Sequence, residues 1–107
     1  SFFLKFSGTA VKIRANEIMY IEIGDHKTII FTENNNYESS ENLDYWEHKL
    51  TNVCFSRPHK SFILNMEYVD KYKRNEVTLK NGKIIPIAYR NQKDFRKIFW
   101  DYLKRRK

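Results

Sequence analysis

Short runs of alternating apolar and polar residues, separated by turn signals of two or three residues, constrain this chain more than any other feature. Ile18 to Ile23 alternates, with Met19, Ile21 and Ile23 expected on one face. Gly24-Asp25-His26 is a tight connection, and Lys27 to Thr32 returns as a β-branched strand. Residues 18–32 therefore read as a hairpin with His26 near its tip. Upstream, Phe2 to Phe6 and Ala10 to Arg14 form a second such pair across a Ser7-Gly8 turn, with Val11 and Ile13 facing the core. Downstream, Val53 to Phe55 leads into Phe55-Ser56-Arg57-Pro58-His59-Lys60-Ser61, and Phe62-Ile63-Leu64 reads as a buried strand. Tyr68 to Lys73, Glu76 to Lys80 and Lys83 to Ala88 continue as a meander. Asn81-Gly82 predicts a type I′ turn, which needs positive φ at both centres. Pro86 has no amide hydrogen, which puts its strand at a sheet edge or a bulge.

Two segments have helical spacing instead. Leu43, Trp46 and Leu50 fall at i, i+3 and i+7, with Ser39-Ser40 ahead of Glu41 as the expected start. Phe95, Ile98, Phe99, Tyr102 and Leu103 form a longer stripe, with Asn91 as the expected cap and Asp94 in a box-like position. Packing onto the sheets accounts for that stripe; off-stripe Trp100 alone speaks for a dimerising helix. The expected fold is mainly β: several small antiparallel sheets, a short central helix and a C-terminal helix, in a single domain over residues 1–107.

Charge narrows the function. Twenty Lys and Arg face thirteen Asp and Glu, for a net +7. Residues 1–54 carry 5 basic and 8 acidic side chains, and residues 55–107 carry 15 and 5, so the halves differ as −3 against +10. A basic tail at Lys104 to Lys107 accounts for four of those charges and leaves +6 in the second half. Such asymmetry within one domain predicts a cationic face and an anionic partner.

Other chemistries find little support. Three widely separated glycines make no phosphate loop, and His26, His48 and His59 lack metal-ligand spacing. Cys54 is the only cysteine, which excludes an internal disulfide, and it is expected as a small buried core residue in a reducing compartment. Cys54 and His59 would point to opposite faces of a strand, with no third group to orient them. No catalytic role, cofactor or metal is expected. No apolar run is long enough to cross a bilayer and no signal-peptide pattern is seen, so a cytoplasmic protein is expected. Starting at Ser1 rather than methionine, the chain is expected to be a piece of something longer.

Three turn segments combine cationic and hydrogen-bonding side chains: Asp25-His26-Lys27, Arg57 to Ser61, and Tyr89-Arg90-Asn91 running on to Lys93. Arginine matches the O6 and N7 edge of guanine with two donors, and lysine reaches the same edge or a phosphate as a point charge. Ser61 and Asn91 suit phosphate oxygens. Duller roles exist for each: His26 as an ordinary exposed residue, Arg90 paired with Asp94, His59 turned inward on a backbone carbonyl.

Taken together, Ile18-Met19-Tyr20-Ile21-Glu22, the His26 hairpin, Phe55-Ser56-Arg57-Pro58-His59-Lys60-Ser61-Phe62-Ile63-Leu64-Asn65, Val77 to Lys83, Ile85-Pro86-Ile87 and Arg90 make a pattern. It resembles the LytTR DNA-binding domain of bacterial response regulators over nearly the whole chain. The resemblance implies double-stranded DNA as partner, contacted by loops that enter successive major grooves and bend the duplex. It assigns base contact to His26, Lys60 and Arg90. Lys27, Arg57, His59, Ser61, Asn91 and Lys93 remain for phosphate contact or support. Where some members carry Asn, this chain has Lys60, which lacks an acceptor and so points to guanine or a phosphate rather than adenine. The resemblance further implies transcription regulation as the output module of a two-component regulator with an upstream receiver domain, and allows a homodimer on repeated sites. The alternatives are a β-rich single-stranded DNA or RNA module, which requires exposed aromatics on one sheet face, and a domain that docks an acidic protein.

Overall fold

The computed structural model describes residues 1–51 and 54–106. The expected approach of Val53 to the central motif falls outside them. The hairpin of residues 18–32 forms as β3 (Ile18–Gly24) and β4 (Lys27–Thr32), closed by Gly24 opposite Lys27. Around it lie β1 (Phe2–Phe6), β2 (Thr9–Ile13), β5 (Asn36–Ser39), β6 (Phe55–His59) and β7 (Phe62–Asn65). These seven strands make one antiparallel sheet in the order β2-β1-β5-β4-β3-β7-β6. A second sheet holds β8 (Val69–Lys73), β9 (Glu76–Leu79) and β10 (Ile84–Pro86) in the order β10-β9-β8, which puts Pro86 on an edge strand as expected. The helices are α1 (Leu43–Lys49) and α2 (Gln92–Arg105).

Strand alternation divides the core in two. Ile21 and Ile63 point from β3 and β7 toward Leu43, Trp46 and Leu50 of the α1 segment, with Ile30 and Tyr37 beside them. Tyr20, Phe62 and Leu64 point the other way, against Val77, Leu79 and Ile85 of the second sheet and Phe95 and Tyr102 of α2. The large sheet is thus a central layer with an apolar face on each side. Each fully buried aliphatic side chain contributes roughly 1.5–3 kcal/mol.

Local expectations fail in four places, each for a physical reason. Met19 does not share a face with Ile21 and Ile23: a bulge between Ile18 and Tyr20 turns Met19 toward the second sheet. The Asn81-Gly82 turn is not type I′, because only Gly82 has positive φ, at 91°. The amide of Gly82 donates to the Leu79 carbonyl (2.9 Å) and the Asn81 side chain accepts from the Lys83 amide (3.0 Å), giving a three-residue loop with glycine at the left-handed position. Helix α1 starts at Asn42, whose side chain accepts from the Tyr45 amide (2.8 Å). Ser39 instead accepts from the buried Trp46 indole (2.9 Å). Finally, Asn91 precedes α2 in a helical conformation without a capping bond, its amide group being committed elsewhere.

Candidate nucleic-acid interface

The register of β3 against β7 fixes how the first two polar turns sit. Glu22 lies opposite Phe62, and the Ile23 amide donates to the Ser61 carbonyl (3.0 Å). The Asp25-His26 turn and the Lys60-Ser61 turn therefore leave the same end of the seven-stranded sheet. Asp25 and His26 have φ of 51° and 63°, so this two-residue turn has both centres in the left-handed region. Neither residue is glycine, and such positions cost of order 1 kcal/mol or more each. His26 is exposed and makes no hydrogen bond or ion pair among the described residues; Lys27, also exposed, starts the return strand.

The second segment is braced from within. Between Ser56 and His59 strand β6 carries an extra residue relative to β7, a bulge at Arg57-Pro58 that reorients side chains at a sheet edge. The Arg57 guanidinium donates to Asp44 (2.6 Å) and Glu47 (2.9 Å) on α1 and to the Lys60 carbonyl (2.8 Å). Burial pushes its pKa down, but the bonds to Asp44 and Glu47 outweigh this and hold it above the ordinary arginine value. His59 Nδ1 accepts from the Ser61 amide (3.0 Å), which puts the ring proton on Nε2, and the ring packs edge-on against Phe62. The alternative role for His59, an inward bond to a backbone carbonyl, gives way to this bond from an amide. Lys60 itself is exposed, with no ion pair among the described residues.

The third segment is laced to the second. Tyr89–Asn91 form a single 3-10 turn before α2. The Ala88 amide donates to the Pro58 carbonyl (2.9 Å), and the Asn91 side chain donates to the Arg57 carbonyl (3.4 Å). Lys60 and Arg90 thereby line one groove of about 690 Å³, together with His59 and Tyr89. Arg90 is exposed and forms no ion pair with Asp94. Lys93 is exposed in the first turn of α2.

Of the nine residues singled out from sequence, Lys60 and Arg90 share this groove, and His26 with Lys27 projects from the same end of the large sheet. Arg57, His59, Ser61 and Asn91 form the bonds that hold the turns. Sequence reasoning missed Asp44 and Glu47, the acids that brace Arg57. Their spacing of three on the exposed side of α1 marks them as neighbours, but nothing local ties them to an arginine ten and thirteen residues later. Cys54 is half-buried rather than core, with Sγ 3.8 Å from Glu67 Oε2. Among the described residues no group of three or more His, Cys, Asp or Glu could hold a metal ion, and no helix is long and apolar enough to cross a membrane.

Comparison with known proteins bears on the same residues. The family model of the LytTr DNA-binding domain matches residues 8–100. The sensory transduction protein LytT of Bacillus cereus is 25% identical over 100 residues, covering 89% of this chain and 41% of that protein. The transcriptional regulatory protein LytR of Staphylococcus aureus is 32% identical over 83 residues, covering 71% of this chain and 34% of the relative. The chain thus spans about two-fifths or less of these curated relatives. A solved LytTr DNA-binding domain from Bacillus cereus superposes with a TM-score of 0.82 at 24% identity, covering 91% of this chain and 94% of that one.

Proposed function

Because the chain belongs to the LytTR DNA-binding domain family, we propose that it reads duplex DNA with three braced turns presented side by side. His26, Lys60 and Arg90 contact base edges in the major groove. Arg90 carries guanine recognition through two parallel donors, and Lys60 takes a guanine edge or a phosphate. Lys27 and Lys93 contact phosphates, while Arg57, His59, Ser61 and Asn91 hold the turns in place. The duplex bends as the turns engage it, and the sequence-dependent cost of that bending contributes to sequence preference. The observation that carries this reading is the lacing of the Lys60 and Arg90 segments into one groove, where neither Lys60 nor Arg90 forms an ion pair among the described residues and the acid that lines it, Glu47, is held by Arg57. A free cation in a preformed turn suits a polyanion.

In the longer protein this domain serves as the output module of a two-component transcriptional regulator, behind a receiver domain and with a second copy on repeated sites. A single-strand stacking platform fits less well. The exposed aromatics Phe3, Phe6, Tyr89 and Trp100 are divided among β1, the turn before α2, and α2 itself, so they do not form a row on one sheet face.

Selection from a random duplex library, followed by titration of Arg90→Ala on the selected and on random duplexes, tests the assignment. The expected loss is ~1–3 kcal/mol on the selected site with far less on random DNA. Equal losses on both would reduce Arg90 to a phosphate contact, and failure of the wild-type chain to enrich any duplex would refute the reading.

A further inference from the structure

A second groove, of about 750 Å³, opens on the far side of the Tyr89-Arg90 turn. It is shared between that turn, the exposed side of α2 and the β8–β9 turn. The Ile87 amide donates to the Asn75 carbonyl (2.9 Å), which sets the Arg74-Asn75 turn beside the segment that carries Arg90. Four cations line the groove, Arg74, Arg90, Lys93 and Arg96, and no carboxylate does. None of the four forms an ion pair among the described residues, although neighbouring Lys73 lies 3.8 Å from Glu76. Asp94, the acid of this helical turn, lines a different groove, facing α1. Lys93 and Arg96 lie three residues apart on one face of α2, and Arg90 stands ahead of them on the 3-10 turn. Trp100 closes the groove at 51% exposure, held edge-on to Phe99 (5.9 Å between ring centroids).

We infer that this groove seats the sugar-phosphate backbone flanking the Arg90 contact, with Arg74, Lys93 and Arg96 on successive phosphates and Trp100 against the adjoining sugar. The inference rests on the duplex-binding reading and extends it to Arg74, Arg96 and Trp100. Continuity supports it, since Tyr89 and Arg90 line both grooves and a strand leaving one enters the other. Charge supports it as well: the groove is cationic throughout in a chain holding thirteen acids.

The test compares Arg74→Gln, Arg96→Gln and their double variant with Lys12→Gln, an exposed cation on β2 at the opposite edge of the sheet. Each phosphate contact contributes about 0.9 to the slope of log K against log salt, which is about fivefold in affinity at ~0.15 M salt. Each arginine variant should therefore lose about fivefold on selected and random duplexes alike and lower the slope by about 0.9. Lys12→Gln should change neither. Of the two tryptophans, Trp46 is buried at 3% exposure, so duplex binding should shift the emission through Trp100 and fail to do so in Trp100→Phe. Arginine variants indistinguishable from Lys12→Gln, or emission that ignores a saturating duplex, would overturn the inference. If Arg90→Ala still lost specificity, the function proposed above would stand without it. Loss of poly-glutamate binding with duplex affinity intact would assign the groove to an acidic protein and equally overturn it. Absence of duplex binding by the wild type would remove both readings together.

Discussion

Replacing Arg57 by methionine separates a brace from a phosphate contact. Methionine keeps much of the apolar stem, so the change removes mainly the guanidinium. The Arg57 side chain is 21% exposed, while its partners Asp44 and Glu47 are 74% and 53% exposed. Pairs with such solvated carboxylates contribute ~0.2–1 kcal/mol each. The bond to the Lys60 carbonyl is charge-assisted and less solvated, and bonds of that kind contribute ~1.5–3 kcal/mol. Allowing for partial solvation, Arg57→Met should cost about 2–3 kcal/mol of stability, or on the order of 10 °C in Tm for a domain of this size. The Lys60 turn would lose the bond that fixes its carbonyl. Affinity for the selected duplex should then fall by about tenfold while the slope of log K against log salt stays constant, because no phosphate contact is lost. Thermal unfolding and filter binding over a salt series measure both. A slope lowered by about 0.9 with Tm unmoved would refute the argument and make Arg57 a backbone contact. A cycle with Asp44→Asn should give a coupling of ~0.5–1 kcal/mol, since the residues touch directly.

Three further outcomes are expected. His26→Gly relieves a left-handed residue and should raise stability by about 1 kcal/mol in urea titrations while reducing preference for the selected duplex; a loss of stability would mean that the turn is not strained. Asn65 is 1% exposed, donates to the Ile18 carbonyl (3.0 Å) and accepts from the Glu67 amide (2.9 Å). Asn65→Leu should therefore cost about 2–4 kcal/mol by leaving both groups unpartnered, and an unchanged urea midpoint would count against that accounting. In alkaline titration followed by tyrosinate absorbance, Tyr20 should ionise last together with Tyr102. Burial, then the Glu22 charge, pushes Tyr20 up to about 12; burial, then the hydrogen bond to Glu67, does the same for Tyr102. Both folded values lie above the unfolded value near 10, so the native state holds more protons between them. Their stabilisation is complete below about pH 10 and is lost as pH rises through 12. Tyrosines that all titrate together near 10 would contradict the burial of these two.

Hairpins were legible wherever a turn signal and a period-2 run agreed, as at Ser7-Gly8 and residues 24–27, because both depend on neighbouring residues. The α2 stripe was legible for the same reason. Prediction failed where the chain inserts a residue or borrows a distant partner. The Ile18/Tyr20 bulge that moves Met19 to the other face depends on β4 and β7 pairing with β3 simultaneously. Asn91 looked like a cap because its local context suits one, but the Arg57 carbonyl, 34 residues away, takes its side chain.

The same division holds for the candidate site. Sequence alone determined which segments carry cationic, hydrogen-bonding side chains, and through them the family resemblance, since residue type and spacing are local properties of the chain. Only the tertiary structure decided that the His26 and Lys60 turns leave one end of the sheet, and that Lys60 and Arg90 line one groove. It alone decided that Arg57 is held by two acids on α1. Those relations arise from strand register and from bonds between residues ten to thirty-four positions apart, and no local pattern encodes which of many compatible pairings the packed core will select.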